Sequence, residues 1–165
     1  MKKISLIAIM LLAVAVVAGA GCAKKVSENT AENAIEKSVG GDADVDIDDD
    51  SARINVNGSS MAWGENVSLP DNFPSDVYVT EGDLKSAMET ADEAFSVTVE
   101  STKSLTAVRS EYETELANDG WDVNSTYAIE GSVTLGGEKD DRMIILSISE
   151  SEGKTMVIIT TTKNQ

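Results

Sequence analysis

The chain has no histidine, one cysteine and two prolines, and only 4% of its residues are aromatic. Without histidine it lacks the commonest metal ligand and the commonest general base. A single cysteine forbids an internal disulfide. With so few rings, Val, Ile, Leu and Met must fill the core. Basic residues are scarce as well: 13 Lys and Arg stand against 29 Asp and Glu, a net charge of −16. Such a surface repels phosphate backbones, which argues against nucleic acid as a partner. It also repels anionic membranes, so adsorption to a bilayer requires an anchor. No motif calls for a cofactor.

What is present begins with an export signal. Met1-Lys2-Lys3 is basic, and Ile4 to Val17 is apolar apart from Ser5. That run is shorter than the ~20 residues a spanning helix needs. Ala18-Gly19-Ala20-Gly21 follows, then Cys22, which gives the layout of a secretory signal. Ala20-Gly21-Cys22 resembles a lipobox, in which the cysteine receives lipid and becomes the new N-terminus. Gly19 stands where lipoboxes prefer Leu, so ordinary cleavage after Ala20 is the competing reading, and the product would then be secreted. Lipid on Cys22 would hold Lys24 and Lys25 near the headgroups, where each adds about 1 kcal/mol on anionic lipid.

The mature chain alternates helical and strand periodicities. Ser27 to Val39 reads as a short helix with a thin apolar stripe, stopped by Gly40-Gly41. Asp42 to Asp50 alternates Asp with Val45 and Ile47, and Ala52, Ile54 and Val56 repeat the pattern after a turn at 49–51. This predicts a hairpin. Ser60 to Trp63 adds a third short strand. Leu69-Pro70 and Phe73-Pro74 mark a linker. Asp83 to Phe95 has helical spacing, whereas Val97 and Val99 alternate as in a strand. Leu105 to Asn118 predicts a helix with Ser104 as N-cap, Leu105, Val108, Tyr112 and Leu116 as its buried stripe, Gly120 as its stop, and Arg109 paired with Glu113. The remainder is β: Trp121–Ile129, Ser132–Leu135, Arg142–Ser149 and Lys154–Thr162. Adjacent apolar residues in the last two predict central strands with both faces at least partly covered.

Candidate chemistry is thin. The aspartate run suggests calcium, but no register starting at Asp42, Asp44 or Asp46 supplies the Gly and Glu of an EF-hand loop. A surface cation site among Asp46, Asp48 and Asp50 is the residue of that idea. The alternative is a solvated strand face whose charges discourage edge pairing. Ser151-Glu152-Gly153-Lys154 matches Ser-x-x-Lys but reads as a hairpin turn between strands. Gly131 with Gly136-Gly137 lacks the end of a phosphate loop and reads as a loop or bulge. With so many carboxylates, no pair can be singled out as acid and base. Trp121 reads as core. Asn57, Asn66 and Asn124 head glycosylation sequons.

The layout resembles a group of small prokaryotic lipoproteins. It shares the lipobox at Cys22, Gly40-Gly41, the Asp-rich hairpin of 42–56, Leu69-Pro70 with Phe73-Pro74, and a helix closing with Tyr112, Leu116, Gly120 and Trp121. The resemblance implies a fold and an address, not a reaction, and it makes residues 84–89 a strand paired with the next one. The expected fold is α+β: an antiparallel sheet with one main helix packed on it, preceded by a small helix-plus-hairpin module. The expected divisions are 1–21 signal, 22–68 tether and module, and 69–165 α+β domain. The expected role is a non-enzymatic, lipid-anchored module on the extracytoplasmic face of the cell membrane, with an envelope protein or wall component as partner. One alternative is a carrier of a small apolar ligand held between helix and sheet. A carboxylate-dependent hydrolase ranks last. Mass spectrometry of the native N-terminus checks the address: a lipid-modified Cys22 is expected, and a chain that still begins at Met1 contradicts it.

Overall fold

The computed structural model describes Asn33, Glu36, Lys37, residues 43–48 and residues 50–163. The export segment and Cys22 lie outside the described residues. So does most of the expected Ser27–Val39 helix, although Asn33, Glu36 and Lys37 are helical.

Nine strands form one antiparallel sheet. They are β1 (Ala43–Ile47), β2 (Ser51–Val56), β3 (Ser59–Gly64), β4 (Asp83–Glu89), β5 (Phe95–Ser101), β6 (Asp122–Ile129), β7 (Ser132–Lys139), β8 (Arg142–Ser151) and β9 (Lys154–Lys163). Their order across the sheet is β1-β2-β3-β4-β5-β9-β8-β7-β6. The first five strands meander outward from one edge. The single long helix, α1 (Leu105–Asn118), then carries the chain from central β5 past β8 to the far edge. The last four strands meander back until β9 closes against β5.

α1 forms where its sequence requires it. Ser104 Oγ accepts from the Ala107 N–H at 3.3 Å and caps the first turn. Val108, Tyr112 and Leu116, each four residues apart, are buried at 0–1% exposure. Gly120 takes φ +82° and stops the helix, with the Trp121 N–H returning to the Leu116 carbonyl and the Gly120 N–H to that of Ala117. Arg109 pairs with Glu113 at 2.8 Å on the wet side.

The main core lies between α1 and the sheet. Val97 and Val99 of β5, Val157 and Ile159 of β9, Ile144, Leu146 and Ile148 of β8, and Val133 and Leu135 of β7 all point inward, none more than 4% exposed. Between β3 and β4 the chain runs from 65 to 82 without helix or strand. This strap covers part of the same face: Val67, Leu69, Phe73, Val77, Tyr78 and Val79 pack against the core.

The α+β class expected from the sequence is overturned. Among the described residues one 14-residue helix and the three helical positions Asn33, Glu36 and Lys37 accompany nine strands, so the described fold is an antiparallel sheet bearing a short helix. Nor is the hairpin a separate module. β3 pairs with β4 from Ser60–Glu89 to Trp63–Ser86, so β1 to β3 extend the same sheet. The sequence hid this because the joining contacts are backbone bonds between segments more than twenty residues apart, which leave no periodic trace. Residues 83–89 are a strand despite their helical spacing; two flanking strands override a local preference. Leu69 and Phe73, expected in a linker, are packed on the core. Gly136 and Gly137, expected in a loop or bulge, sit inside β7, and the irregularity falls opposite them, between Val123 and Ser125 of β6. A Cβ on Gly136 would lie 3.3 Å from the Ser125 Cβ, so a side chain there would require the bulged strand to give by a few tenths of an ångström.

The register also shows that the sheet changes its buried side. Trp63 opposes Ser86, which opposes Thr98, on the face away from α1. Val45, Ile54 and Val56, clustered with Trp63, therefore lie on that far face. Across β8 and β9 the far face is open instead. Ile145 and Ile158 are 43% and 44% exposed among half-buried neighbours, so that face is only partly covered.

Leu146 and Ile145 are neighbours on opposite faces, and their truncation tests this assignment. Leu146→Ala should cost about 2–5 kcal/mol, and Ile145→Ala about 0.5 kcal/mol or less, in urea unfolding followed by circular dichroism. Equal losses would contradict the assigned faces.

Candidate functional site

The interface between α1 and the sheet has no spare volume. Val108, Tyr112, Leu116, Leu135, Leu146, Ile148 and Ile159 meet there at 0–1% exposure, so no water-sized space touches them. Among the described residues, room for a ligand lies outside that interface: in a groove of about 430 Å³ at the β2–β3 turn, lined by Ala43, Val56 and Ser60 among others, and in a second where the strap crosses the sheet.

The second half of the strap is pinned by polar contacts. Asp76 receives Arg142 through both carboxylate oxygens, at 2.9 and 2.5 Å, and Lys139 at 2.5 Å. Its carbonyl accepts the Trp121 indole N–H at 2.8 Å, and the Arg142 guanidinium lies 5.1 Å from the centre of that ring. Trp121 is buried, as expected from the sequence, and it anchors the strap as well as the core. The Arg142 hydrogen bonds hold the Asp76 carboxyl well below the usual carboxylate range, despite partial burial. Further along, Glu111 accepts from Tyr78 Oη, Thr80 Oγ1 and Lys103 Nζ, and Lys103 draws its proton affinity down. Burial pushes the Tyr112 phenol up; its oxygen accepts the Thr80 N–H.

The first half of the strap is held more lightly. Val67, Leu69 and Phe73 are half-buried, Phe73 meets Phe95 edge-on at 5.7 Å, and Asn72 donates to Glu89. A groove of about 310 Å³ opens here. Arg53, Asn55, Ala62 and Ala87 form its floor, and Leu69-Pro70 of the strap form one wall. Every other Lys or Arg in the strands has an ion pair, but none links Arg53 to a described residue. From the groove, one row of inward positions runs Ser60, Glu89, Phe95, Thr161 across the sheet. The Thr161 hydroxyl is buried and has no hydrogen-bond partner among the described residues. One cation, Arg53, with the carboxylates of Asp71 and Glu89, a light apolar lid and an unused interior hydroxyl thus lie along one track under the strap.

Of these groove residues the sequence singled out Leu69-Pro70, as a linker, and none as part of a site. The available signal was the isolation of Arg53 within an acidic hairpin. Of the aspartates that were singled out, Asp46 is exposed on β1 directly opposite Arg53, Asp48 follows β1, and Asp50 sits in the bend before β2. No three acidic, Cys or His side chains among the described residues are grouped to hold a metal ion. Ser151 to Lys154 form the β8–β9 turn, with Glu152 and Gly153 at positive φ.

The strap latch has a pH signature. Asp76→Asn should destabilise the protein by about 1–3 kcal/mol at neutral pH, because two cations lose their counter-charge. A depressed folded-state pKa contributes stability above the unfolded value and loses it as pH falls through the folded one. The wild-type advantage should therefore be full above pH ~5 and shrink below ~4, read by thermal melts across pH. An advantage that persists unchanged into acid would contradict the latch.

Comparison with known proteins gives one match. Residues 82–154, from the loop before β4 to the first residue of β9, match the model of a START domain-like family. The matched stretch covers less than half of the chain and contains α1 and strands β4 to β8, with Ala87 and Glu89 of the groove, but not the core residues of β9. Neither the curated proteins nor the solved structures offer a match.

Proposed function

We propose that this protein is a non-enzymatic binding module, tethered outside the cytoplasm through lipid on Cys22, that holds an anionic amphiphile between the strap and the sheet. The START domain-like match supports binding of a lipid or other apolar ligand rather than catalysis. The observation that carries the site is the groove at the light end of the strap, with Arg53, which has no ion pair among the described residues, in its lining.

The energetics suit exchange. Lifting Val67 and Leu69 from the core costs up to about 1.5–3 kcal/mol each. Both are already half-exposed, and an apolar chain laid in their place restores the contact. Arg53 meets the anionic end, and the orphan Thr161 hydroxyl gains a partner if a polar atom reaches it. The carboxylates with displaced proton affinities do not favour hydrolysis: Asp76, Glu100 and Glu111 are each drawn down, foremost by hydrogen bonds from Arg142, Lys154 and Lys103. A general acid needs its carboxyl held up.

Titration of the full chain with a fluorescent long-chain fatty acid tests the reading. Saturable binding is expected, with the matching fatty alcohol bound at least tenfold more weakly, a difference of about 1.4 kcal/mol. Arg53→Gln should erase that preference. Absence of saturable binding, or an unchanged preference in the variant, would overturn the proposal.

A further inference from the structure

The two edges of the sheet are treated very differently. β1 carries Asp44 and Asp46 on its exposed positions, followed by Asp48 and Asp50. Charges of this kind keep an edge strand from pairing with foreign strands. β6, at the other edge, has no such guard. Val-Asn-Ser-Thr-Tyr-Ala-Ile, residues 123–129, contains no charge, proline or glycine, and every β6 residue except Val123 is exposed. Its bulge lies at Val123/Ser125, so Ser125 to Ile129 run in regular register with β7 and leave their outward backbone groups without a β-partner among the described residues.

Side chains add to the backbone. The exposed large hydrophobic residues are Tyr127 (67%), Ile129 (58%), Ile145 and Ile158. The register places all four on the open face: Tyr127 opposes Thr134, which opposes Ser147, which opposes Ile158. Between the strand ends that face bears only Ser, Thr, Gly, Met, Ile and Tyr. On a chain of net charge −16 this is an unusual surface. Acids frame it: Asp122 opposes Glu138 at one end of β6, and Glu130 follows Ile129 at the other.

From this we infer that β6 is a strand-addition site for an extended peptide that has apolar residues at alternate positions and Lys or Arg at both ends. Main-chain bonds to Ser125–Ile129 supply affinity and side chains supply selection, the usual division in β-augmentation. The peptide's apolar residues lie against Tyr127 and Ile129, and its basic ends meet Asp122 with Glu138, and Glu130. Charge decides against a second copy of this chain. An antiparallel β6–β6 pair would set the Asp122 and Glu138 of one copy against the Glu130 of the other. This surface lies across the sheet from Arg53, and it stands whether or not the groove binds an amphiphile.

The test uses the full chain and a synthetic peptide, Lys-Lys-Val-Thr-Val-Thr-Val-Lys-Lys, followed by fluorescence anisotropy and backbone hydrogen exchange. Saturable binding is expected, with new protection of the amides of residues 125–129. Replacing the terminal lysines with glutamates should weaken binding at least tenfold, and proline at the two threonine positions should abolish it. The double variant Tyr127→Lys, Ile129→Lys changes exposed side chains only. It should melt like wild type and lose binding at least tenfold. No binding, equal binding of the proline peptide, protection outside β6, or full binding by a folded double variant would each overturn the inference. So would a concentration-dependent dimer that the double variant abolishes, since the edge would then serve self-pairing.

Discussion

Close contact between α1 and the inward side chains of β5, β9, β8 and β7 constrains everything else in this molecule. Val108, Tyr112 and Leu116 fill the sheet's curvature, and neighbouring residues meet them with no gap. A core so short of aromatics reaches native density with branched aliphatic residues, which pack well on a pleated surface. Because that interface is full, a ligand cannot enter it without unfolding the domain. The chain covers the rest of the face with the strap of 65–82, and functional freedom is displaced to the strap and to the sheet's unguarded surfaces.

The strap divides the labour along its length. Asp76, Tyr78 and Thr80 fasten its second half through Arg142, Lys139, Glu111 and Tyr112, all positioned by rigid elements. The first half has mainly the Phe73–Phe95 contact and the Asn72–Glu89 bond. Local opening begins where buried apolar contacts and hydrogen bonds are fewest. The groove beside Leu69-Pro70 is therefore where an exchange between strap and ligand requires the least disruption. Arg53, which has no ion pair among the described residues, is the cation in the lining of this groove, beside the carboxylates of Asp71 and Glu89.

Much of the local structure was legible in the sequence. Ser104, the Val108–Tyr112–Leu116 stripe and Gly120 specified α1, because its capping and burial are encoded within one short segment. For the same reason the hairpin of 43–56 followed from alternation, and the last two strands from their runs of adjacent apolar residues. Alternation, however, names the residues that are buried without naming the side on which they are covered. That is why the shift of the buried face between β3 and β4, and the exposure of Ile145 and Ile158, were not foreseen. The continuity of the sheet rests on Ser60–Glu89 pairing, a contact with no periodic signature. The groove was illegible for a related reason: Arg53, Leu69 and Thr161 are far apart in the chain, and only the strap's path brings them onto one track.

The central claim is that an apolar ligand is held under the light end of the strap and not between α1 and the sheet. Mapping amide chemical shifts of the isotope-labelled chain during titration with a long-chain fatty acid tests it most directly. The account predicts saturable shifts at residues 66–73, Arg53, Ala62, Ala87 and Thr161, with Val108, Tyr112 and Leu116 unmoved. Shifts concentrated on Val108, Tyr112 and Leu116, with the strap silent, would contradict it.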